Sequence, residues 1–371
     1  MSTRVLITGG AGFIGSHVAD ELLRNGYRVR ALDRLEEQVH AGVERPEYLD
    51  TEVELHVGDV RDTEAVARAL EGVDAVLHFA ARVGVGQSMY EIADYTAVNA
   101  YGTAVLLEAL LDRGIGRLIV ASSMSVYGEG LYRDASGRMH ERIKRTRGQV
   151  ERGEWDPRGP GGEQLEPVPT PETKSPDLSS VYALNKFDQE RLCLLYGTAY
   201  GVPTTGLRFF NVYGQRQALS NPYTGVLAIF ASRLLNDRAP LVYEDGEQRR
   251  DFVSVCDVAR ACRLALERDE AADAVINVGS GRSVSVTDLA EGLGALVGKE
   301  HLRPDITGKA RTGDIRHCFA DISLARELLG FEPQVELDDG MAELAEWLSD
   351  KAAVDRFDDA NALLASRGLT R

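Results

Sequence analysis

Short apolar segments alternate with longer amphipathic segments over the first half of the chain. In the longer segments apolar residues recur every three or four positions, which predicts helices over 13–25, 62–71 and 94–113. The short segments predict buried parallel strands at 4–9, 28–33, 53–59, 75–81, 117–123 and, leading into a loop, 204–214. Strands and helices that alternate in this way are typical of a doubly wound parallel sheet with right-handed crossovers.

The pattern changes twice further along the chain. Residues 129–176 are rich in glycine, proline and charge, which predicts a long surface insertion or lid, ordered only in part. Its basic portion, 140–152, is either a solvated helix face or a contact for phosphate. After residue 215 the predicted elements become shorter, with a helix at 225–236 and a strand running into a helix at 249–268.

The predicted organisation is an α/β protein with a smaller mixed α/β lobe towards the C-terminus. We expect the sheet domain to cover 1–205, including the insertion, and to take up a further segment at about 250–275. The smaller lobe then comprises 206–249 and 276–348. The last segment, 349–371, has the pattern of an amphipathic helix and shows no evident chemistry.

Charge and composition narrow the classes of partner. The 371 residues carry a formal net charge of −16, which argues against a general binder of nucleic acid or of anionic membranes. The net charge does not exclude a local basic pocket that binds an anionic ligand. The chain lacks a run of ~18–20 apolar residues, as a membrane span would require. Its first predicted strand begins at residue 4, which argues against a signal peptide. Its four cysteines form no C-x-x-C pair. We therefore expect a cytoplasmic protein with reduced thiols.

A glycine motif stands at the first strand-to-helix turn. Gly9, Gly12 and Gly15 follow the first strand, so the turn can tighten and backbone N–H groups, with Phe13 and Ile14 beside them, can reach a pyrophosphate. Asp33 ends the second strand, where an acid accepts hydrogen bonds from ribose hydroxyls and repels a 2′-phosphate. The constellation predicts a Rossmann domain that binds NAD in preference to NADP, although the adjacent Arg34 weakens that preference a little.

Further cofactor contacts are expected where other strands end. Asp59 follows the third strand and is either an adenine contact or the N-cap of the next helix. Asn99 either fixes a helix bulge and a backbone or water contact, or is a buried structural amide. The remaining expected cofactor contacts are Val60, Phe79, Ala80, Ala81 and Ser122.

Tyr182 and Lys186 form the candidate proton-transfer unit. They are one helical turn apart and therefore share a helix face. A tyrosine pKa of ~10 is too high for a base at neutral pH, but a lysine ammonium and a nicotinamide cation would both lower it. Ser123 ends its strand and could hydrogen-bond the same substrate hydroxyl. Taken alone, Tyr182 could equally be a half-buried helix aromatic.

These motifs together resemble the extended short-chain dehydrogenase/reductase family, and within it the nucleotide-sugar epimerases and dehydratases. The resemblance rests on the glycine motif, "HFAA" (78–81), "VNAYGT" (98–103), "ASSMSVYG" (121–128) and "YALNK" (182–186). It implies that Tyr182 takes the proton of the sugar C4 hydroxyl while NAD accepts the hydride, and that the 4-keto sugar turns before the hydride returns. Dehydratases and decarboxylases of the family carry acids where this chain has Met124 and Ser125, so a 4-epimerase is favoured.

The resemblance also implies a site for a nucleotide-diphosphate sugar. Asn211 and Arg250 would contact the phosphates, and in "ARTGDIRH" Arg311 would hold phosphate while Asp314 holds the ribose. Arginine suits this task because its guanidinium group is planar and always charged. Each arginine alone could instead be an ordinary surface charge. Gln215 replaces a proline of the family pattern, which alters the loop but removes no ligand.

The sequence indicates the identity of the sugar less clearly than the type of reaction. Segment 216–236 and the insertion look most like dTDP-L-rhamnose 4-epimerases, whereas Val83 stands where UDP-galactose 4-epimerases have a lysine. Because the insertion lacks cysteine pairs, no metal is expected. A UDP-glucuronate or UDP-galactose 4-epimerase, a 4-ketoreductase and a non-catalytic binder of NAD or sugar nucleotides are the alternatives. Family members pair through helices equivalent to those of Tyr182 and 94–113, which implies a homodimer.

Overall fold

A seven-stranded parallel sheet forms the centre of the protein. The computed structural model describes residues 2–311 and 313–370. Across the sheet the strands follow one another in the order Val275–Val278, Thr204–Phe209, Arg117–Ser123, Ala75–His78, Arg4–Thr8, Arg28–Asp33 and Glu54–Val57. This topology confirms the doubly wound α/β prediction. The reversal of strand order lies between Arg4–Thr8 and Ala75–His78, where such sheets bind ligands.

Helices cover both faces of the sheet, because its strands are apolar on both sides. On one face Phe13–Arg24 packs against Val255–Glu267. On the other lie Thr63–Ala69, Gly102–Leu110 and the long helix Val181–Tyr200. The helix predicted over 94–113 consists of Ile92–Thr96, a π-helical turn Ala97–Tyr101, and Gly102–Leu110. The shorter helical segments around this sheet are Glu37–His40, Val85–Ser88, Met124–Tyr127 and Asp269–Ala271.

Two predicted boundaries need correction. Val275–Val278 is a strand of the large sheet and pairs with Thr204–Phe209, so the predicted boundary at 275–276 cuts a strand that belongs to the sheet domain. Its run of four residues is too short to show its partner by periodicity. The strand predicted over 204–214 is two strands, since the chain leaves the sheet after Phe209 and Asn211–Tyr213 pairs with Phe252–Ser254.

The smaller lobe has its own apolar core. Helices Val226–Leu235, Val286–Leu296 and Leu337–Leu348 contribute side chains to that core. Short strand pairs surround it: Leu241–Val242 with Asp305–Ile306, and Arg249–Arg250 between Val284–Ser285 and His317–Cys318. Helix Ser323–Leu329 packs instead against the edge of the large sheet. A last helix, Phe357–Ser366, follows.

The insertion is more ordered than its composition predicted. It contains an antiparallel sheet of Leu131–Arg133, Met139–His140 and Glu166–Val168, and the helix Arg147–Glu151 with a capping box at Thr146. From its basic portion, Arg145 has a side chain that is 7% exposed and pairs with Glu244 of the smaller lobe. Ion pairs of this kind therefore add to the few buried apolar side chains, such as Tyr132 and Ile143, in holding the insertion in place.

The structure brings three potential metal ligands of the insertion together. Asp134, His140 and Glu163 lie within 4.8 Å of one another, a cluster that the sequence spacing did not indicate. Asp134 already accepts hydrogen bonds from His140 and Ser136. We assign no ion to this group. Among the described residues, no helix is long and apolar enough to cross a membrane.

Candidate active site

The glycine turn has the geometry of a phosphate cradle. A Cβ on Gly15 would lie 2.3 Å from the carbonyl oxygen of Gly9, and Gly9 itself has φ +72°. Gly12 is the N-cap residue of helix Phe13–Arg24, and it has no side chain that could accept hydrogen bonds from the first N–H groups of the helix. These uncapped donors and the helix dipole fit a pyrophosphate. Phe13 and Ile14 line the adjoining cavity.

Asp33 is held in place at the end of its strand. It is buried, and its two carboxylate oxygens accept the backbone N–H groups of Ala11 (3.0 Å) and Leu35 (2.9 Å). A carboxylate has further lone pairs, so ribose hydroxyls can still donate to it. Arg34 is engaged in ion pairs with Glu36 and Asp59, which removes it as a free partner for a 2′-phosphate. The residues present therefore fit NAD.

The structure decides one of the alternatives left open for Asp59. Asp62, and not Asp59, caps the helix Thr63–Ala69, by accepting the N–H groups of Glu64 and Ala65. The Asp59 carboxylate instead binds the guanidinium group of Arg61, which keeps its pKa below the ordinary value despite partial burial. The N-cap interpretation of Asp59 is therefore wrong, and an adenine contact stays a prediction.

Other predicted cofactor contacts divide into two groups. Phe79, Ala80 and Ala81 follow the strand Ala75–His78 at the open end of the sheet, beside the glycine turn. By contrast, the side chain of Val60 is buried under Gly102. Ser122 donates to Glu190 at 2.6 Å, on the sheet face opposite to Ser123. The side chains of Val60 and Ser122 are therefore engaged within the protein, and a cofactor contact of either residue through its main chain stays a prediction.

Asn99 lies in the π-helical turn and fixes a loop beside the cofactor site. Its side chain accepts the N–H of Arg82 at 2.7 Å and donates to the carbonyl of Arg82 at 3.0 Å. The π turn carries the bulge that the sequence reading proposed for Asn99. The amide thus holds the segment that follows the strand Ala75–His78.

Ser123 and Tyr182 face one cavity of about 430 Å³. The helix of Tyr182 begins after Ser180, whose hydroxyl accepts the N–H of Ala183. The Tyr182 N–H donates to Ser88 Oγ at 3.0 Å, which fixes the start of the helix against the segment Val85–Ser88. Ser123 Oγ accepts the hydroxyl of Ser125 at 3.0 Å. It also lies near enough to the Tyr182 hydroxyl to lower the pKa of that group.

Lys186 lies behind Tyr182 in a buried polar network. Its Nζ donates to Gln189 Oε1 at 2.9 Å. The Gln189 amide in turn donates to Thr103 Oγ1 (2.9 Å) and to the carbonyl of Ala80. His78 continues the network through Thr103 and Thr8. All of the side chains in this network are buried, which strengthens the hydrogen bonds between them.

Burial sets the protonation of this network. It lowers the pKa of Lys186 to about 8 and that of His78 to about 3, so His78 is neutral at physiological pH. Burial also raises the pKa of Tyr182, against a lowering effect of the Ser123 hydrogen bond. The expectation that the lysine lowers the tyrosine pKa is therefore not met by the protein groups alone, because Lys186 points to Gln189.

The predicted substrate residues all line the same cavity. Asn211 Oδ1 is buried without a hydrogen-bond partner among the residues described, which fits a ligand donor or water at that point. Arg311 binds Asp314 through Nε at 3.0 Å and lies over the Tyr243 ring. Arg250 donates to the main-chain carbonyls of Ile315 and Arg316. The cavity thus contains two cationic groups and one acid.

Sequence reasoning missed three parts of the site. Gln189 belongs to no recognisable sequence motif; it only precedes Glu190, the acid that pairs with Arg208. Gln217 lines the cavity with a buried, unpartnered Oε1. The last helix, expected to be without chemistry, also lines the cavity. A one-turn spacing from Lys186 to Gln189 was the signal available for the first of these.

Known proteins share this architecture and sequence. The family model of the NAD dependent epimerase/dehydratase family matches residues 5–149 and 153–279. A dTDP-L-rhamnose 4-epimerase of Burkholderia thailandensis is 37% identical over 358 residues, covering 93% of this chain and 95% of that protein.

Solved structures agree with this assignment. The UDP-glucose 4-epimerase of Thermotoga maritima with UDP-glucose has a TM-score of 0.76 at 32% identity, over 94% of this chain and 99% of that one. The Thermus thermophilus UDP-glucose 4-epimerase in complex with NAD has a TM-score of 0.74 at 30% identity, over 94% and 100%. The chain therefore belongs to the NAD-dependent epimerase/dehydratase family, with NAD as its cofactor.

Proposed function

We propose that the protein is an isomerase that inverts C4 of a nucleoside-diphosphate sugar, with dTDP-L-rhamnose as the first candidate substrate. The observation that carries the proposal is the pairing of Tyr182 with Ser123 at a cavity where no carboxylate stands beside them. Among the described residues that line the cavity, Asp314 is the only acid, and it is paired with Arg311.

The chain's own residues supply the proton chemistry. Tyr182 accepts the proton of the C4 hydroxyl and later returns it, while Ser123 Oγ hydrogen-bonds the same oxygen. Lys186, one helical turn from Tyr182, would favour the phenolate form of Tyr182 together with the nicotinamide cation of bound NAD. Bound NAD would supply the acceptor and then the donor of the C4 hydride. The net reaction moves one hydrogen from one face of C4 to the other, so substrate and product have the same composition.

The residues after Ser123 support epimerisation over elimination or decarboxylation. Met124 and Ser125 occupy the positions where the resemblance places acids in dehydratases and decarboxylases. Both line the cavity, and neither carries a carboxylate that could act on a proton at C5 or on a sugar acid.

The choice of sugar rests on similarity. The Burkholderia thailandensis relative favours a dTDP-linked 6-deoxy sugar. A UDP-sugar 4-epimerase is the second candidate, because the Thermotoga maritima structure carries UDP-glucose. A 4-ketoreductase would consume NADH in stoichiometric amounts, and a non-catalytic binder would turn over no sugar.

NMR spectroscopy of a substrate panel tests the proposal. The NAD-loaded protein is incubated with dTDP-L-rhamnose, UDP-galactose and UDP-glucuronate, and C4 inversion is followed. We expect many turnovers per NAD with dTDP-L-rhamnose. Stoichiometric consumption of NADH would show that the activity is that of a reductase and not of an epimerase. The absence of turnover with every member of the panel would contradict the proposal.

We also propose a homodimer formed through the helices of the second sheet face. Tyr101, Leu184, Leu195 and Tyr200 lie on these helices and are each more than half exposed. Exposed apolar side chains grouped on neighbouring helices are typical of a subunit interface. The division into a cofactor domain and a sugar-nucleotide lobe is likewise a proposal, with the strand Val275–Val278 assigned to the first.

A further inference from the structure

The C-terminal helix Phe357–Ser366 is anchored at its start to the smaller lobe. The buried Arg233 donates to Asp358 at 2.8 Å and to Asp355 at 3.5 Å. Its guanidinium group also lies over the Phe357 ring, 5.6 Å from the centroid. These contacts fix where the helix begins and which of its faces turns inward.

The inner face of this helix forms part of the cavity wall. Phe357, Ala360, Asn361 and Leu364 line the same cavity as Ser123 and Tyr182, together with Leu369 beyond the helix. Leu364 is only 6% exposed, whereas its neighbour Leu363 is 37% exposed on the outer face. The Asn361 side-chain oxygen accepts the hydroxyl of Tyr243 at 2.6 Å, which orients the amide at the cavity edge.

The far end of the segment reaches both sides of the cavity. Leu364 lies so close to Gly86 that a Cβ there would come within 3.2 Å of its side chain. The Arg367 guanidinium group lies over the Tyr90 ring, 4.5 Å from the centroid. Thr370 pairs through its backbone with Arg311, one of the two cationic groups in the cavity.

These contacts place residues 357–370 across the cavity from one side to the other. On one side is the segment Val85–Ser88, whose Ser88 also holds the N–H of Tyr182. On the other side are Tyr243 and Arg311. Since the cavity is lined by Ser123 and Tyr182, by the two arginines and by this segment, a sugar nucleotide that spans it would meet the C-terminal segment.

We propose that residues 357–370 form the outer wall of the sugar-nucleotide site and that Leu364 and Asn361 contact the bound nucleoside-diphosphate sugar. The proposal rests on the function proposed above. An apolar side chain and an oriented amide at one wall can distinguish substrates by size and by hydrogen bonding. The segment thereby contributes to substrate affinity and selectivity.

Calorimetry with the full-length, NAD-loaded protein tests this role. The variants are Leu364→Ala and Asn361→Ala, with Leu363→Ala as the matched control on the outer face. The probes are dTDP, UDP and dTDP-L-rhamnose, and thermal unfolding and NAD affinity are measured in parallel. We expect Leu364→Ala to weaken binding of dTDP-L-rhamnose by roughly tenfold, as the loss of part of an apolar pocket does. Leu363→Ala should bind as the wild type.

A third variant guards against a folding artefact. Arg367→Ala removes the contact with Tyr90 without changing a side chain that lines the cavity, and it should weaken sugar-nucleotide binding while the melting temperature is retained. Equal affinities in Leu364→Ala, Asn361→Ala and the wild type would overturn the proposal. Binding that weakens as expected without any turnover would instead contradict the proposed epimerase function, so the two failures are distinguishable.

Discussion

Gln189 offers the sharpest test of how the proton-transfer unit is tuned. Its Oε1 accepts from the buried Lys186 ammonium at 2.9 Å, and its amide group donates to Thr103 and Ala80. Gln189→Met keeps the approximate volume and removes the acceptor, whereas Gln189→Glu puts a negative charge at the same place. If the contact sets the lysine pKa, the two substitutions must act in opposite directions.

The magnitude follows from the hydrogen bond. A hydrogen bond to a charged group contributes about 1.5–3 kcal/mol. One pKa unit corresponds to about 1.4 kcal/mol. Loss of the acceptor should therefore lower the Lys186 pKa, now about 8, by roughly one to two units. The sign is downward because the acceptor stabilises the charged form. Above its pKa Lys186 is neutral and can no longer add its charge to that of the nicotinamide cation in favouring the Tyr182 phenolate, so activity should fall on the alkaline side.

The assay is the pH dependence of kcat/KM for C4 inversion. We expect the alkaline limb to move to lower pH in Gln189→Met and to higher pH in Gln189→Glu. Gln164→Met and Gln164→Glu, made at an exposed glutamine of the insertion, serve as matched controls and should leave the limb in place. A merely structural role would lower activity at every pH. A limb that stays fixed in both Gln189 variants, with NAD affinity retained, would refute the reasoning.

Three further predictions concern the rest of the site and the assembly. Tyr182→Phe should lower kcat by about 10²–10⁴-fold with NAD affinity unchanged; full turnover in this variant would exclude Tyr182 as the base. Gly15→Ala should abolish tight NAD binding, measured by fluorescence titration, because its Cβ would meet the Gly9 carbonyl at 2.3 Å. Gly114→Ala, where a Cβ meets nothing within 4 Å, is the control. Leu195→Glu should shift the proposed dimer to a monomer in light scattering, while Val43→Glu, at another exposed apolar position, should not.

The sheet was predictable from the sequence because each strand is marked by a contiguous apolar run. Apolar runs such as Val5–Ile7 are completely buried, and their alternation with amphipathic helices fixes the doubly wound topology. The insertion was less predictable. Its order comes from ion pairs between residues far apart in the chain, such as Arg145 with Glu244 and Arg316 with Asp156. No period in a sequence reveals partners of that kind.

The same distinction explains what could be predicted about the site. Gly15, Ser123, Tyr182 and Lys186 stand at fixed places in local motifs, and the structure brings Ser123 and Tyr182 to one cavity. The C-terminal helix has no motif, and its function depends on where its start is anchored. Arg233 pairs with Asp358 across more than a hundred residues, and that pair turns Leu364 inward and Leu363 outward. An amphipathic pattern alone specifies that one face is buried, but the ion pair positions this face against the cavity of Ser123 and Tyr182.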